Sequence, residues 1–112
     1  MGLAPDGSWA DISDVVFVDQ PVGTGFSYGD SYVNRMQEGA DDFARFMEAL
    51  LQMYPQYSKA KGGKIILSGE SYAGKYLPII HKTMHYYDIS KGSKLFDIPA
   101  TLIGNPFVAP LI

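Results

Sequence analysis

Short apolar runs alternate along this chain with two longer segments in which apolar residues recur at helical spacing. The runs predict strands at 15–18, 64–68 and 100–103. Because these runs do not alternate apolar with polar positions, both faces of each strand are expected to be buried, as in a parallel sheet. The order strand, helix, strand, helix, strand predicts an α/β fold in which two crossover helices connect three parallel strands.

The first predicted helix spans about 31–54 and ends before Pro55. Its apolar positions lie three or four residues apart, which is the spacing of one helix face. They are Met36, Ala40, Phe43, Met47, Leu50 and Tyr54. The second predicted helix follows Ser71 and runs to about Tyr86. Pro78 is expected to kink or restart it, because proline lacks the N–H that a helix interior uses.

The composition fits one small globular domain and narrows the kinds of ligand. The chain has 112 residues, of which 46% are hydrophobic, enough for one modest core. A formal net charge of −3 argues against nucleic acid as a partner. The absence of cysteine excludes a disulfide framework and a thiolate zinc site. The first residues lack the pattern of a signal peptide, and no apolar stretch reaches membrane-spanning length.

The segment Gly-Glu-Ser-Tyr-Ala-Gly at 69–74 directly follows the second predicted strand. A serine at a tight strand-to-helix turn, with glycines that let the backbone fold closely, is typical of a nucleophile elbow. We therefore interpret Ser71 as a candidate nucleophile and the backbone N–H of Tyr72 as a candidate oxyanion donor. The alternative is that Ser71 is a structural turn serine.

A serine nucleophile needs a base, and neither histidine of the chain fits that role. His81 and His85 lie ten or more residues down the predicted helix, about 15 Å or more from Ser71 at 1.5 Å per residue. They are expected to be surface or half-buried helix residues. A metal-binding pair at this spacing is the alternative, but no third ligand is evident, so no metal is predicted.

A second glycine-containing segment, Gly23-x-Gly25, follows the first predicted strand and could suggest a dinucleotide-binding loop. That fingerprint requires a third glycine where Tyr28 stands and a helix that opens at once. The sequence has neither, so no cofactor is predicted.

Two long segments together resemble the serine carboxypeptidases, a branch of the α/β-hydrolases. They are Asp-Gln-Pro-Val-Gly-Thr-Gly-Phe-Ser-Tyr at 19–28 and Gly-Glu-Ser-Tyr-Ala-Gly-Lys-Tyr-Leu-Pro at 69–78. The first is most similar to the fungal pheromone-processing and vacuolar carboxypeptidases. The resemblance covers nearly the whole chain.

The resemblance implies a serine-type carboxypeptidase, which removes C-terminal residues from a peptide or protein substrate through an acyl-enzyme. Ser71 matches the family's nucleophile, Tyr72 the residue whose N–H forms half of the oxyanion hole, and Glu70 the acid that helps to bind the substrate's terminal carboxylate. A glutamate can bind a carboxylate only while it carries a proton. Without the family, Glu70 would instead be expected to pair with Lys75 or Lys64. The family also suggests the secretory pathway, a vacuole or lysosome, or the extracellular space.

Three departures from the family limit what this chain is expected to do alone. Its Asn-Gly-Gly-Pro-Gly stretch and the later Asp and His of the catalytic triad are not in the sequence, and Gly104-Asn105-Pro106 stands where Gly-Asn-Gly is usual. We therefore expect residues 1–112 to be a single fragment of an α/β-hydrolase catalytic domain, cut on both sides and inactive alone. The alternatives are a truncated non-catalytic product and an acyltransferase with the same nucleophile.

Overall fold

The computed structural model describes residues 7–109, and in this range two helices and two strands form the folded part of the chain. The elements are α1 (Met36–Met53), β1 (Ile66–Glu70), α2 (Ala73–Ser90) and β2 (Ala100–Gly104), with short 3-10 turns at Trp9–Asp11, Pro55–Tyr57 and Lys59–Lys61. The two strands pair in parallel, with Ile66 opposite Ala100 and Glu70 opposite Gly104. The α/β class predicted from the sequence is confirmed.

Helix α2 connects the two parallel strands, and both helices contribute to one core. The buried apolar side chains of α1, β1, α2 and the loop before β2 form a single cluster. They are Ala40, Ala44, Met47, Leu51, Leu67, Ala73, Leu77, Ile80, Met84 and Phe96. The core therefore lies between the two helices and one face of the sheet.

The first helix is shorter than predicted, and its buried face is rotated slightly. It begins at Met36 instead of 31, after Arg35, which has an extended backbone. Met36 and Tyr54, the two ends of the predicted stripe, are 37% and 46% exposed. Pro55 lies just beyond the end of the helix, as predicted.

The second helix continues through Pro78 without the predicted restart. Pro78 is the sixth residue of α2, beyond the unpartnered first amides, so its missing N–H costs the helix one hydrogen bond, to the carbonyl four residues earlier, without ending it.

Among the helices between residues 7 and 109, none combines the length and the apolar character needed to span a membrane.

The predicted strand at 15–18 is not a strand in this structure. Within the described part of the chain, the sheet contains only β1 and β2. Phe17 is 94% exposed and Val16 57% exposed, so this segment does not have the two buried faces that its composition predicts. An apolar run becomes a strand only where a neighbouring strand is available to pair with it, and nothing within the run decides that.

Asp88 organises the loop between α2 and β2. Its carboxylate is almost fully buried and accepts hydrogen bonds from the N–H groups of Leu95 and Phe96 at 2.7 and 3.2 Å. The Lys59 ammonium lies 3.5 Å from the other carboxylate oxygen. The backbone N–H of Ser93 donates to the Asp88 carbonyl at 2.8 Å. One buried acid therefore holds the loop against the end of α2.

Tyr87 on α2 predicts a dependence of stability on alkaline pH. Its hydroxyl donates to the Glu48 carboxylate on α1, and this bond raises the pKa of Tyr87 above its ordinary value of 10.0. The folded chain then holds the tyrosine proton more tightly than the unfolded chain does. The contribution is therefore complete below pH 10.0 and is lost as the pH rises through the raised pKa. The midpoint of urea unfolding should fall over this window.

The variant Tyr87→Phe should show a shallower fall over the same alkaline window, because it has no hydroxyl to titrate. Tyr86→Phe is the matched control, since the Tyr86 side chain is 61% exposed and has no bond to α1. An identical alkaline slope in Tyr87→Phe and the unmodified chain would contradict this assignment.

Candidate active site

Ser71 occupies the turn between β1 and α2, where the sequence places it. Its backbone has a φ of 56°, in the left-handed region that residues other than glycine rarely adopt. The residue is exposed. The strand before it ends at Glu70 and the helix after it begins at Ala73. This is the geometry of a nucleophile elbow, in which a strained serine is presented at the end of a strand.

Two glycines make the elbow possible because side chains at their positions would collide with its neighbours. A Cβ atom on Gly69 would lie 2.6 Å from the Cβ of Ala73 and 2.8 Å from a methyl of Leu77. A Cβ atom on Gly74 would lie 2.8 Å from the Cβ of Pro106. The strand and the first turn of the helix therefore approach as closely as the motif requires.

Replacement of Gly69 by alanine tests this close approach. The added methyl must push on Ala73 and Leu77, so we expect a loss of about 1–3 kcal/mol in unfolding free energy. Urea denaturation followed by circular dichroism would measure it. The matched control is Gly104→Ala in the adjacent strand, where the new Cβ would meet only the Glu70 side chain at 3.6 Å. Equal losses in the two variants would contradict the proposed contact.

Tyr72 lies directly after Ser71 and serves as the N-cap of α2. Its backbone N–H donates a hydrogen bond to no residue between 7 and 109, so it is free to bind an anion. The positive end of the α2 dipole lies at the same place and favours negative charge there. The structure thus leaves one donor available beside the serine.

Glu70 ends β1 at the carboxyl edge of the sheet and is exposed. The alternative expectation, a local ion pair, is not met, because among the described residues Glu70 pairs with neither Lys64 nor Lys75. Its carboxylate is therefore available at the edge that carries Ser71.

His81 is held far from the elbow. Its Nδ1 lies 2.8 Å from the hydroxyl of Thr101, which stands three residues before Gly104 on β2. Three strand residues span about 10 Å, whereas the N–H of Ser71 bonds to Gly104 itself at 3.0 Å. His81 and His85 line the same surface depression. Within residues 7–109 no group of three or more potential ligands is placed to hold a metal ion.

Two neighbours of Ser71 were not identified as site residues from the sequence. Phe107 bonds to the Ser71 carbonyl, and Asn105 lies between Phe107 and Gly104, the other partner of Ser71. Both residues follow β2, and the carboxyl ends of parallel strands meet at one edge of a sheet. The sequence signal for this meeting is the predicted order of the parallel strands.

The fold and the turn together define an α/β protein with a serine presented at a strand-to-helix elbow. Comparison with protein families narrows this class, because the model of the serine carboxypeptidase family matches residues 4–112. The chain belongs to the serine carboxypeptidase family.

Individual relatives agree with this membership. The chain is 38% identical over 110 residues to a pheromone-processing carboxypeptidase KEX1 of Candida dubliniensis, with 96% of this chain and 16% of the relative aligned. It is 42% identical over 110 residues to the protein of that name in Pyricularia oryzae, with 94% of this chain and 17% of the relative aligned. The chain therefore spans about a sixth of the length of these relatives.

Proposed function

We propose that the chain is the nucleophile-bearing segment of a serine-type carboxypeptidase, and that Ser71 is its nucleophile. The observation that carries this proposal is the left-handed backbone of Ser71 at an exposed strand-to-helix turn. In the proposed reaction the Ser71 hydroxyl attacks the last peptide carbonyl and loses its proton to a base. That proton passes to the leaving amine, which departs as the free C-terminal residue, and water then hydrolyses the ester.

The neighbours of Ser71 have complementary roles in this proposal. The free N–H of Tyr72 stabilises the oxyanion of the tetrahedral intermediate, supported by the helix dipole. Glu70 binds the substrate's terminal carboxylate, and must be protonated to do so. Because Glu70 is exposed in this structure, the proposal requires another part of a longer protein to cover it.

The base, its orienting acid and the second oxyanion donor are assigned to protein outside these 112 residues. The exposed aromatic side chains of the first third support this, since large apolar surfaces normally pack against something. Phe17, Phe26 and Tyr28 are each at least 94% exposed. We infer that this region packs against the remainder of an α/β-hydrolase domain, of which residues 1–112 are one fragment.

The same reasoning extends to the third strand of that domain. Val16 and Val18 line the same cavity, of about 270 Å³, as Ile65, Ile66 and Leu67. This shared cavity supports a position for the segment 15–18 beside β1. We propose that in the complete domain it pairs with β1 as a third parallel strand.

Peptide hydrolysis by a full-length protein that contains this segment tests the proposed function. We expect release of the C-terminal residue from a peptide with a free carboxylate, and little release from the same peptide with a C-terminal amide. The 112-residue chain alone should release neither. Preferential transfer of the acyl group to an added alcohol instead of water would indicate an acyltransferase. Equal cleavage of both peptides would contradict the assigned carboxylate recognition.

A further inference from the structure

Both backbone polar groups of Ser71 are bonded to the end of β2 and the turn that follows it, and the Ser71 carbonyl also accepts from the N–H of Gly74 at 3.0 Å. The Ser71 N–H donates to the carbonyl of Gly104 at 3.0 Å, and the Ser71 carbonyl accepts from the N–H of Phe107 at 2.8 Å. Residue 71 is therefore fixed on both sides by one segment, 104–107, which lies more than thirty residues away along the chain. We call this segment the clamp turn.

The shape of the clamp turn depends on a second left-handed residue. Asn105 has a φ of 42°, in the left-handed region. Apart from glycine, asparagine is one of the few residues that adopt this region readily. The reversal at Asn105 directs the chain back toward the elbow, so that the Phe107 N–H reaches the Ser71 carbonyl.

Side-chain packing holds the clamp turn against the start of α2. The rings of Tyr72 and Phe107 stack with centroids 6.4 Å apart and planes 20° apart. The Lys75 ammonium lies 4.9 Å from the Phe107 centroid and 5.6 Å from that of Tyr72. Cations favour the faces of aromatic rings. Lys75 therefore spans the two sides of the contact, and the clamp turn does not depend on its hydrogen bonds alone.

We propose that Asn105 and Phe107 are positioning residues that hold Ser71 in its left-handed conformation. A serine at φ 56° is disfavoured unless its surroundings fix it, and the clamp turn supplies that constraint from outside the motif. The inference rests on the proposed function only where it treats Ser71 as the reactive residue, because the geometry itself is independent of activity.

A matched pair of variants at residue 105 tests the proposal on the 112-residue chain by NMR. Glycine tolerates a positive φ and alanine does not, while both remove the asparagine side chain. We expect the Ser71 amide to exchange with solvent roughly fivefold to thirtyfold faster in Asn105→Ala than in Asn105→Gly. The strong intraresidue contact between the Ser71 amide and α protons, which marks a positive φ, should weaken in parallel.

The amide of Leu95, bonded to Asp88 at the other end of α2, reports whether the rest of the fold is intact. Its exchange should be the same in both variants. Faster exchange of Leu95 in Asn105→Ala would overturn the proposal, because the effect would then act on the whole fold and not on the elbow. Unchanged Ser71 signals in Asn105→Ala would overturn it as well.

A second pair at residue 107 examines the other bond of the clamp. Phe107→Pro removes the N–H that bonds to the Ser71 carbonyl, whereas Phe107→Ala keeps it and removes only the ring. We expect the Ser71 signature to be lost in the proline variant and to be weakened less in the alanine variant, which loses only the ring packing. Retention in both would overturn the role of Phe107, and if the proline variant fails to fold, the pair at 105 decides. None of these measurements depends on activity, so their failure is distinct from failure of the proposed enzyme.

Discussion

Replacing Ser71 by alanine in the full-length protein should lower peptide hydrolysis on the order of a millionfold, the usual consequence of deleting a serine nucleophile. The remaining groups of such a site still bind substrate and stabilise the oxyanion, so a small residual rate is expected. A fluorophosphonate probe should add to the unmodified protein at the tryptic peptide that contains Ser71. It should not add to the variant.

The control for this loss is Ser68→Ala on the same strand. Ser68 stands three residues before Ser71 and lines the cavity that Val16 and Val18 also line, instead of the carboxyl edge. Its replacement should change the hydrolysis rate no more than a few-fold. Labelling that persists in the Ser71 variant, or disappears in the Ser68 variant, would contradict the assignment of the nucleophile.

Replacing Asp88 by alanine should have the largest effect on stability, about 3–5 kcal/mol. The variant leaves the amides of Leu95 and Phe96 without their acceptor and Lys59 without its partner. Small domains are commonly stable by only about 5–15 kcal/mol. We therefore expect urea unfolding to shift to a much lower midpoint or to lose its cooperativity.

Two further variants separate the hydrogen bonds of Asp88 from its charge pair. Lys59 is 43% exposed, and without it the buried Asp88 carboxylate still accepts its two amide bonds, so Lys59→Met should cost clearly less than Asp88→Ala. Asp88→Asn keeps an acceptor oxygen for the two amides, so its loss of unfolding free energy should lie between those of Lys59→Met and Asp88→Ala. A Lys59→Met loss as large as that of Asp88→Ala would show that the ion pair, and not the amide bonds, stabilises the loop.

The unit of β1, α2 and β2 could be predicted from the sequence to within a few residues at each boundary. Its strands are short apolar runs and its turns carry glycine, so local pattern and tertiary structure agree. The segment 15–18 has the same kind of pattern and is not a strand. The difference is physical, because a strand requires a hydrogen-bonded neighbour, and a neighbour is not a property of the segment itself.

The candidate site also contains features that the sequence predicts and features that it does not. The turn at Ser71 is encoded by adjacent residues, and the sequence placed it correctly. The hydrogen bonds of Gly104 and Phe107 with Ser71 join positions far apart in the chain, so no local pattern reveals them. The burial of Asp88 could not be predicted, because a charged residue near a helix end is usually solvated, and its burial depends on the loop that contains Leu95 and Phe96.

The strand pairing of this chain has a consequence for the order of events during synthesis. The hydrogen bonds from Leu95 and Phe96 to Asp88 close over only seven or eight positions, so this loop is local in the sequence. The pairing of Ile66 with Ala100 is parallel and joins positions separated by a whole helix, so it closes more slowly. On the ribosome the loop is therefore expected to form as soon as Phe96 has emerged, and the sheet only after β2 is complete.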